Sequence, residues 1–270
     1  MKNMILYDIR CSLGQNRVKW LAAIAIQIFL CIRSFREVSF GGGTYELLSE
    51  LWLVMGGARE YIPPEDSSFQ LPACWFLFHS YLFFLIGFYP ASELYRGNGQ
   101  ALIRTRTRAG WLISKFISTV VNVVLYYCCF LGLMLLGNVI CGGSLLPLNG
   151  IISFGGIPIF DKSPTELLIV FLLLPLFVSM TLGCIQAVLS LFLDPVFSFM
   201  AAIGYMSASV FWMSPLLIGN FSMLYRQAWI SGKAEMSTAM GMVCCLCSMI
   251  LTMIGGIYMF RRKDILPEED

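Results

Sequence analysis

The chain has 270 residues, of which 58% are hydrophobic and only 13% charged, with a net charge of +2. Soluble domains carry ~25% charged residues, and a soluble chain of this size could not hide so much apolar surface. A mean hydropathy of +0.76 therefore excludes a soluble globular protein and points to a membrane protein with several crossings.

Residues 1–17 come first. Met1, Ile5, Ile9 and Leu13 recur at every fourth position, while Lys2, Asp8, Arg10 and Arg17 fall off that stripe. The pattern predicts an amphipathic helix lying along the membrane surface; a simple cytoplasmic tail is the alternative. The first apolar run starts near Val18, so no cleavable leader is expected. Six segments then reach the length needed to cross ~30 Å of hydrocarbon: 18–32, 71–90, 111–141, 166–193, 196–218 and 238–260. The expectation is an all-α polytopic membrane protein with six transmembrane helices and one membrane domain over 1–270. Pro175 should kink the fourth span, since it has no N–H to give the helix. Asp194-Pro195 makes a tight turn between the fourth and fifth.

Residues 33–70 read as a long loop carrying Glu37, Glu46, Glu50, Glu60, Glu65 and Asp66, punctuated by Gly41-Gly42-Gly43 and Pro63-Pro64. Residues 142–165 are rich in glycine and proline. Residues 215–237 keep Leu216, Leu217, Phe221, Leu224 and Trp229, and are a candidate re-entrant segment.

Between the second and third spans lies the most basic stretch, 91–116, whose part over 91–110 reads as a docking element or a charged membrane margin. It sets Arg96, Arg104, Arg106, Arg108 and Lys115 against the single acid Glu93. Gly97-Asn98-Gly99 breaks it into two short helical pieces, the first capped by Ser92. Arg104 stacks over Arg108 in the second, a like-charge pair that costs ~0.2–0.5 kcal/mol on an isolated helix. These arginines want an anionic counterpart, either lipid headgroups or an acidic groove on another protein. Placing this stretch and both termini on one side leaves Arg33, Arg36, Arg59, Lys162, Arg226 and Lys233 on the other. The positive-inside rule then puts both termini in the cytoplasm.

The chemistry-bearing residues are sparse. One histidine, His79, excludes a site with several histidine ligands; it reads as a packed helix residue or as part of a pathway. Gly232-Lys233 lacks the glycine that a phosphate loop needs five positions earlier. The ten cysteines lie mostly in predicted spans as small apolar residues, with a disulfide among Cys31, Cys74 and Cys141 left open. No metal or other cofactor is expected in this chain, and no catalytic site. Asn122, Asn138, Ser179, Thr181, Gln186 and Ser190 are polar within spans. They suit interhelical hydrogen bonds or, for Asn122, Asn138 and Gln186 together with His79, the lining of a route. No acid lies deep in any span, which argues against an ion-coupled transporter.

Six spans, cytoplasmic termini, a helix along the surface before the first span and a segment re-entering before the last together resemble the membrane (permease) subunit of type-2 ABC exporters. The residues of that family's coupling helix look like Glu93, Gly97, Arg104-Thr105-Arg106-Thr107-Arg108, Trp111 and Lys115. The resemblance implies an ATPase-coupling set of Glu93, Arg96, Gly97, Arg104, Arg106, Arg108, Trp111 and Lys115, seated in a groove of a cytoplasmic ABC ATPase. It further implies a second membrane subunit, identical or related, in a bacterial cytoplasmic membrane. ATP and Mg would be bound by the ATPase, and the cargo would be a peptide, a drug-like molecule or a lipid-linked compound. No nucleic acid is implied. The competing reading is a non-transporting receptor, immunity or scaffold protein whose outer loop binds an extracellular peptide.

Overall fold

Two helices meet at Asn16: α1 (Lys2–Gln15) and α2 (Arg17–Phe40). In the computed structural model, residues 2–41, 45–61, 71–96, 107–144, 152–154, 157–159, 167 and 169–263 are described. The first span is longer than its apolar run, because the helix carries on through Arg33, Arg36 and Glu37. The Arg33–Glu37 pair, 2.9 Å apart at i,i+4 on an exposed face, adds a few tenths of a kcal/mol, ~0.3–0.5, to those last turns. The stretch 33–70 is therefore not a loop throughout. It holds the end of α2 and a further helix, α3 (Leu47–Met55), whose sequence LLSELWLVM is apolar enough to be swallowed by the core. Leu47, Leu48, Leu51, Trp52, Val54 and Met55 are all buried.

α4 (Ala73–Ile86) breaks at Gly87-Phe88 and resumes as α5 (Tyr89–Arg96). Pro90 sits in the first turn of α5, where its missing N–H costs nothing. Ser92 falls inside α5, not at its start, and its Oγ donates back to the Tyr89 carbonyl at 2.9 Å; the expected cap is not made. The next helix, α6 (Arg108–Ile140, 33 residues), spans ~50 Å at 1.5 Å per residue. Thr107 caps it by accepting from the Gly110 N–H. A small hairpin follows, β1 (Ile152–Phe154) against β2 (Ile157–Ile159), antiparallel with Ile152 opposite Ile159.

Pro175 falls where the fourth span changes its helix type. It stands in the first turn of α7 (Leu174–Phe192), preceded by a π-helical turn, Ile169–Leu173, so the widened turn comes where proline removes a donor. Asp194 then turns the chain into α8 (Pro195–Phe211), its Oδ1 accepting from Val196 N–H at 2.8 Å. Residues 212–218, read from the sequence as helical, are outside α8. From 218 to 236 the chain runs as short turns, Ile218–Ser222, Leu224–Arg226 and Ala234–Met236, with the four-residue helix α9 (Ala228–Ser231) among them. The last helix is α10 (Thr238–Arg262), capped by Ser237.

Five segments are long and apolar enough to cross a membrane: Arg17–Phe40, Ala73–Leu94, Arg108–Ile140, Ile169–Phe192 and Thr238–Arg262. This is an all-α, multi-pass membrane protein. α8 is a shorter apolar helix of 17 residues, ~25 Å long.

The main core gathers Trp52, Trp75, Phe78, Phe83, Tyr126, Phe130 and Phe171. Phe78 lies at its middle, with ring centroids 4.8–5.2 Å from Tyr126, Tyr127 and Phe130. A second, smaller core at the end where α1, α5 and the tip of α10 meet collects Leu94, Trp111, Leu112, Phe116, Val188, Leu191 and Phe260. At the opposite end Gly57 leaves α3 with φ 73, and a Cβ there would stand 2.5 Å from Met223 Cγ. Gly57→Ala is expected to lower stability by ~1–2 kcal/mol for the left-handed backbone alone, with the clash adding to it. A thermal midpoint unchanged in detergent would show that this turn relaxes freely.

Candidate functional site

The buried side of α1 is its polar side. Asp8, Ser12 and Asn16, spaced i, i+4, i+8, are 1%, 3% and 7% exposed, whereas Ile5, Ile9 and Leu13 are only half-buried. The reason is on α6, which presents Ser114, Lys115 and Asn122 to them. Lys115 Nζ stands 2.9 Å from Asp8 Oδ1, Ser114 Oγ donates to Asp8 Oδ2, and Asn122 Nδ2 donates to Ser12 Oγ at 3.1 Å. Glu93 of α5 closes on the same lysine, and Tyr89 O–H points at Asp8 Oδ1 from 3.4 Å. The ammonium also lies over the Tyr89 and Trp111 rings, 4.6 and 5.0 Å from their centroids. Two carboxylates, one cation and two π-faces thus share one site that is almost closed to solvent. Charges taken from water survive only when paired this fully.

This arrangement divides the coupling set. Lys115 and Trp111 are each 1% exposed, so they face inward; Trp111 is stacked on Phe260 with centroids 5.2 Å apart and planes at 19°. Glu93 joins them. Arg108 is spent on the chain's own far end: its guanidinium donates to the carbonyls of Arg261 at 3.0 Å and Lys263 at 2.7 Å. These are among the last carbonyls of α10, which lack helical partners and attract a cation. Lys263 Nζ donates in turn to the Leu191 carbonyl, tying in α7. Gly97, Arg104, Arg106 and the side chain of Arg96 lie outside the described residues, as does the second helical piece of the coupling segment. Of the described members, Glu93, Trp111 and Lys115 face inward and Arg108 binds the end of α10.

The four candidate pathway residues are buried in packed surroundings. His79 Nδ1 is 2.8 Å from the Trp75 carbonyl and Nε2 is 3.4 Å from Tyr127 Oη, which is 2.9 Å from Ser179 Oγ. Gln186 Nε2 donates to the Phe83 carbonyl at 3.2 Å, beside Gly87, where a Cβ would overlap its amide. Asn122 is held by Ser12 and by the Ser118 carbonyl at 2.7 Å. Asn138 Nδ2 donates to Glu50 Oε1 at 3.3 Å. None of the four borders the groove of about 260 Å³ along α2, lined by Phe29, Ile32, Arg33, Arg36, Glu37 and Phe40.

Buried acids reach the bundle from two helices that are not among the long apolar spans. Asp8 comes from the segment taken as a surface helix, and Glu50, 0% exposed, from the segment taken as a loop. Another buried charge is Arg226, which the sequence places among the outer-loop cations. It is 1% exposed. Its Nε donates to the Ala58 carbonyl at 3.1 Å and its two Nη atoms to the carbonyls of Ser209, Val210 (2.5 Å) and Arg59 (3.3 Å) and to Asn220 Oδ1. Burial pulls this guanidinium down to about 10, opposed by the Glu60 carboxylate, so it stays charged at neutral pH. All ten cysteines are free; no disulfide joins Cys31, Cys74 and Cys141. Among the described residues no three of His, Cys, Asp and Glu cluster as metal donors.

The family described as "Protein of unknown function (DUF2705)" matches residues 51–266. The chain belongs to the DUF2705 family. The matched DUF2705 region begins inside α3 and takes in Glu93, Lys115, Asn138 and Arg226, while Asp8 and Glu50 precede it. Among curated proteins none matches the chain.

Proposed function

We propose that this chain is the permease subunit of an ATP-driven exporter of the type-2 ABC kind, set in a bacterial cytoplasmic membrane. Two such subunits, identical or related, pair with cytoplasmic ABC ATPase subunits that bind ATP and Mg. The observation that carries this reading is the anchoring of the residues that flank the arginine-bearing stretch 97–106 in the sequence. Glu93 on one side of it and Trp111 and Lys115 on the other enter a buried network that also holds α1 and Phe260 of α10, while Arg108 binds the end of α10 beside it. A force on that segment is delivered to four helices together, which is what a lever for ATP-driven reorientation requires.

The topology in this reading has six crossings. α8 runs from Asp194, at the end holding Leu191 and Lys263, to the carbonyls gathered by Arg226 at the other end, and so traverses the same bundle as its neighbours. An even number of crossings puts both termini in the cytoplasm with most of the basic residues. The cargo is amphipathic, a peptide, a drug-like molecule or a lipid-linked compound, and this chain carries out no covalent step.

The test is purification of the tagged protein from its native membrane in mild detergent, with mass spectrometry of what co-elutes in stoichiometric amount. The expected partner is a soluble protein with a phosphate-binding loop, lost when Arg104 and Arg106 are both changed to glutamate while membrane insertion is kept. Recovery of the chain without such a partner, or undiminished transport by the inserted double variant, would overturn this assignment and favour a receptor or scaffold.

A further inference from the structure

The α3–α6 contact contains two buried oxygens left without a hydrogen-bond partner. Glu50 and Asn138 are each 0% exposed. They are already joined by one bond, from Asn138 Nδ2 to Glu50 Oε1 at 3.3 Å. The orphans are the other oxygen of each group, Glu50 Oε2 and Asn138 Oδ1. Both are acceptors, so neither can satisfy the other while the carboxyl is ionised. A carboxylic acid and a primary amide, in contrast, form a two-bond ring: the amide N–H donates to one carboxyl oxygen, and the acid O–H donates to the amide oxygen. One proton on the carboxyl would give both orphaned oxygens a role in such a ring.

We propose that Glu50 and Asn138 form a proton-binding site in which the Glu50 carboxyl carries a proton on Oε2 and gives its hydrogen bond to Asn138 Oδ1, and that loss of this proton loosens α3 from the bundle. Uptake forms one O–H bond from a solvent proton and takes the side chain from −1 to neutral. The surroundings favour the neutral form. Among the described residues Glu50 has no ion pair. From α2 the titratable group beside it is the Cys31 thiol. From α4, Cys74 sits by Arg33 and Glu37, His79 is bonded to Trp75 and Tyr127, and Tyr81 is bonded to the Lys19 carbonyl. The π-turn, IVFLL, brings no titratable group, and α6 brings Asn138. Burial raises the carboxyl to about 7, with the Asn138 hydrogen bond opposing the rise.

The sign follows from that direction. The carboxyl is raised in the folded protein, so its contribution to stability is full below the ~4.3 of free glutamate and is lost as pH rises through about 7. Ionised, Glu50 is a buried anion held by one amide N–H. The relief open to it is hydration, which requires α3 to part from α6 near Asn138 and Gly143, whose N–H is held by the Asn138 carbonyl at 2.9 Å. The inference is independent of the exporter assignment, since it needs neither an ATPase nor a cargo.

Infrared spectroscopy of the full chain in lipid nanodiscs, titrated with acid and base and referenced to Glu50→Gln, reads the site directly. Glutamine keeps the length of the side chain and can close the amide–amide ring, so this variant folds. The expected result is a protonated-carboxyl stretch absent from Glu50→Gln, present between ~4.3 and neutrality, lost as pH passes about 7, and displaced in Asn138→Leu. Amide hydrogen exchange over Leu47–Met55, corrected for the intrinsic rate, should rise through the same pH in the parent protein and not in Glu50→Gln. Absence of a Glu50-dependent acid band in that window would overturn the site. A band with exchange that ignores pH would overturn the loosening of α3.

Discussion

Arg226→Met is expected to be among the most damaging single substitutions in this protein, abolishing accumulation of folded chain or lowering its stability by several kcal/mol. The guanidinium is the common donor for carbonyls from three places: Ala58 and Arg59 after α3, Ser209 and Val210 in the last turn of α8, and the side chain of Asn220. The last four carbonyls of a helix have no helical partner, and at a buried helix end water does not reach them. Each acceptor stranded by the substitution costs ~1–3 kcal/mol. Two or three of them approach the whole stability of a typical domain, ~5–15 kcal/mol. Arg226→Lys keeps the charge but offers a point-like ammonium that cannot fan out to both ends of the contact; a partial loss is expected. Yield of monodisperse protein in mild detergent and its thermal midpoint give the answer. A methionine variant as stable as its parent would mean that the segment 218–236 is held by its apolar contacts alone. The group remains cationic well past neutrality, at about 10, so this stabilisation should not change across the neutral range.

The apolar frame was legible in the sequence, because length and hydropathy fix which stretches can be long apolar helices. Three of the later runs, 111–141, 166–193 and 238–260, match the helical segments Arg108–Ile140, Ile169–Phe192 and Thr238–Arg262 to within three residues, while 196–218 overruns α8 by seven. The polar interior was not legible, and for a common reason. Asp8, Glu50 and Arg226 all come from segments flanked by charge or glycine, which read as surface. Their burial is decided by a partner far along the chain: Lys115 for Asp8, Asn138 for Glu50, the end of α8 for Arg226. Faint signals existed. Asp8, Ser12 and Asn16 form a polar stripe at helical spacing, as regular as the apolar one. Glu50 stands alone in LLSELWLVM, an acid inside a helix too apolar to be solvated. Arg226 had no such mark. Likewise, Trp111 and Lys115 were recognised as belonging together, but their neighbourhood to Phe260 and Asp8 depends on helices that meet only in the folded bundle.

Lys115→Met should be as costly as the loss of Arg226, for an electrostatic reason. It leaves Asp8, 1% exposed, and the nearly buried Glu93 facing one another with no cation between them. Removing one partner of a buried ion pair costs ~3–5 kcal/mol, and here a single lysine answers two acids. The same physics predicts a rescue. Replacing the whole set by neutral groups of similar shape, Asp8→Asn with Glu93→Gln and Lys115→Met, removes every uncompensated charge, and such replacements are often neutral or stabilising. The triple variant is expected to recover most of the stability lost in Lys115→Met, with coupling between Asp8 and Lys115 of ~1–3 kcal/mol in a double-mutant cycle. Strict additivity of the three substitutions would mean that the charges act independently and that the network is only a packing contact. In the exporter reading the rescue separates folding from work. The triple variant inserts and folds, yet Glu93→Gln and Lys115→Met, which flank 97–106 in the sequence, are now joined to α1 by weaker bonds, so ATP hydrolysis by the partner should persist while transport per ATP falls. Transport per ATP equal to that of the parent would remove the ionic cluster from the coupling path and leave it a purely structural role.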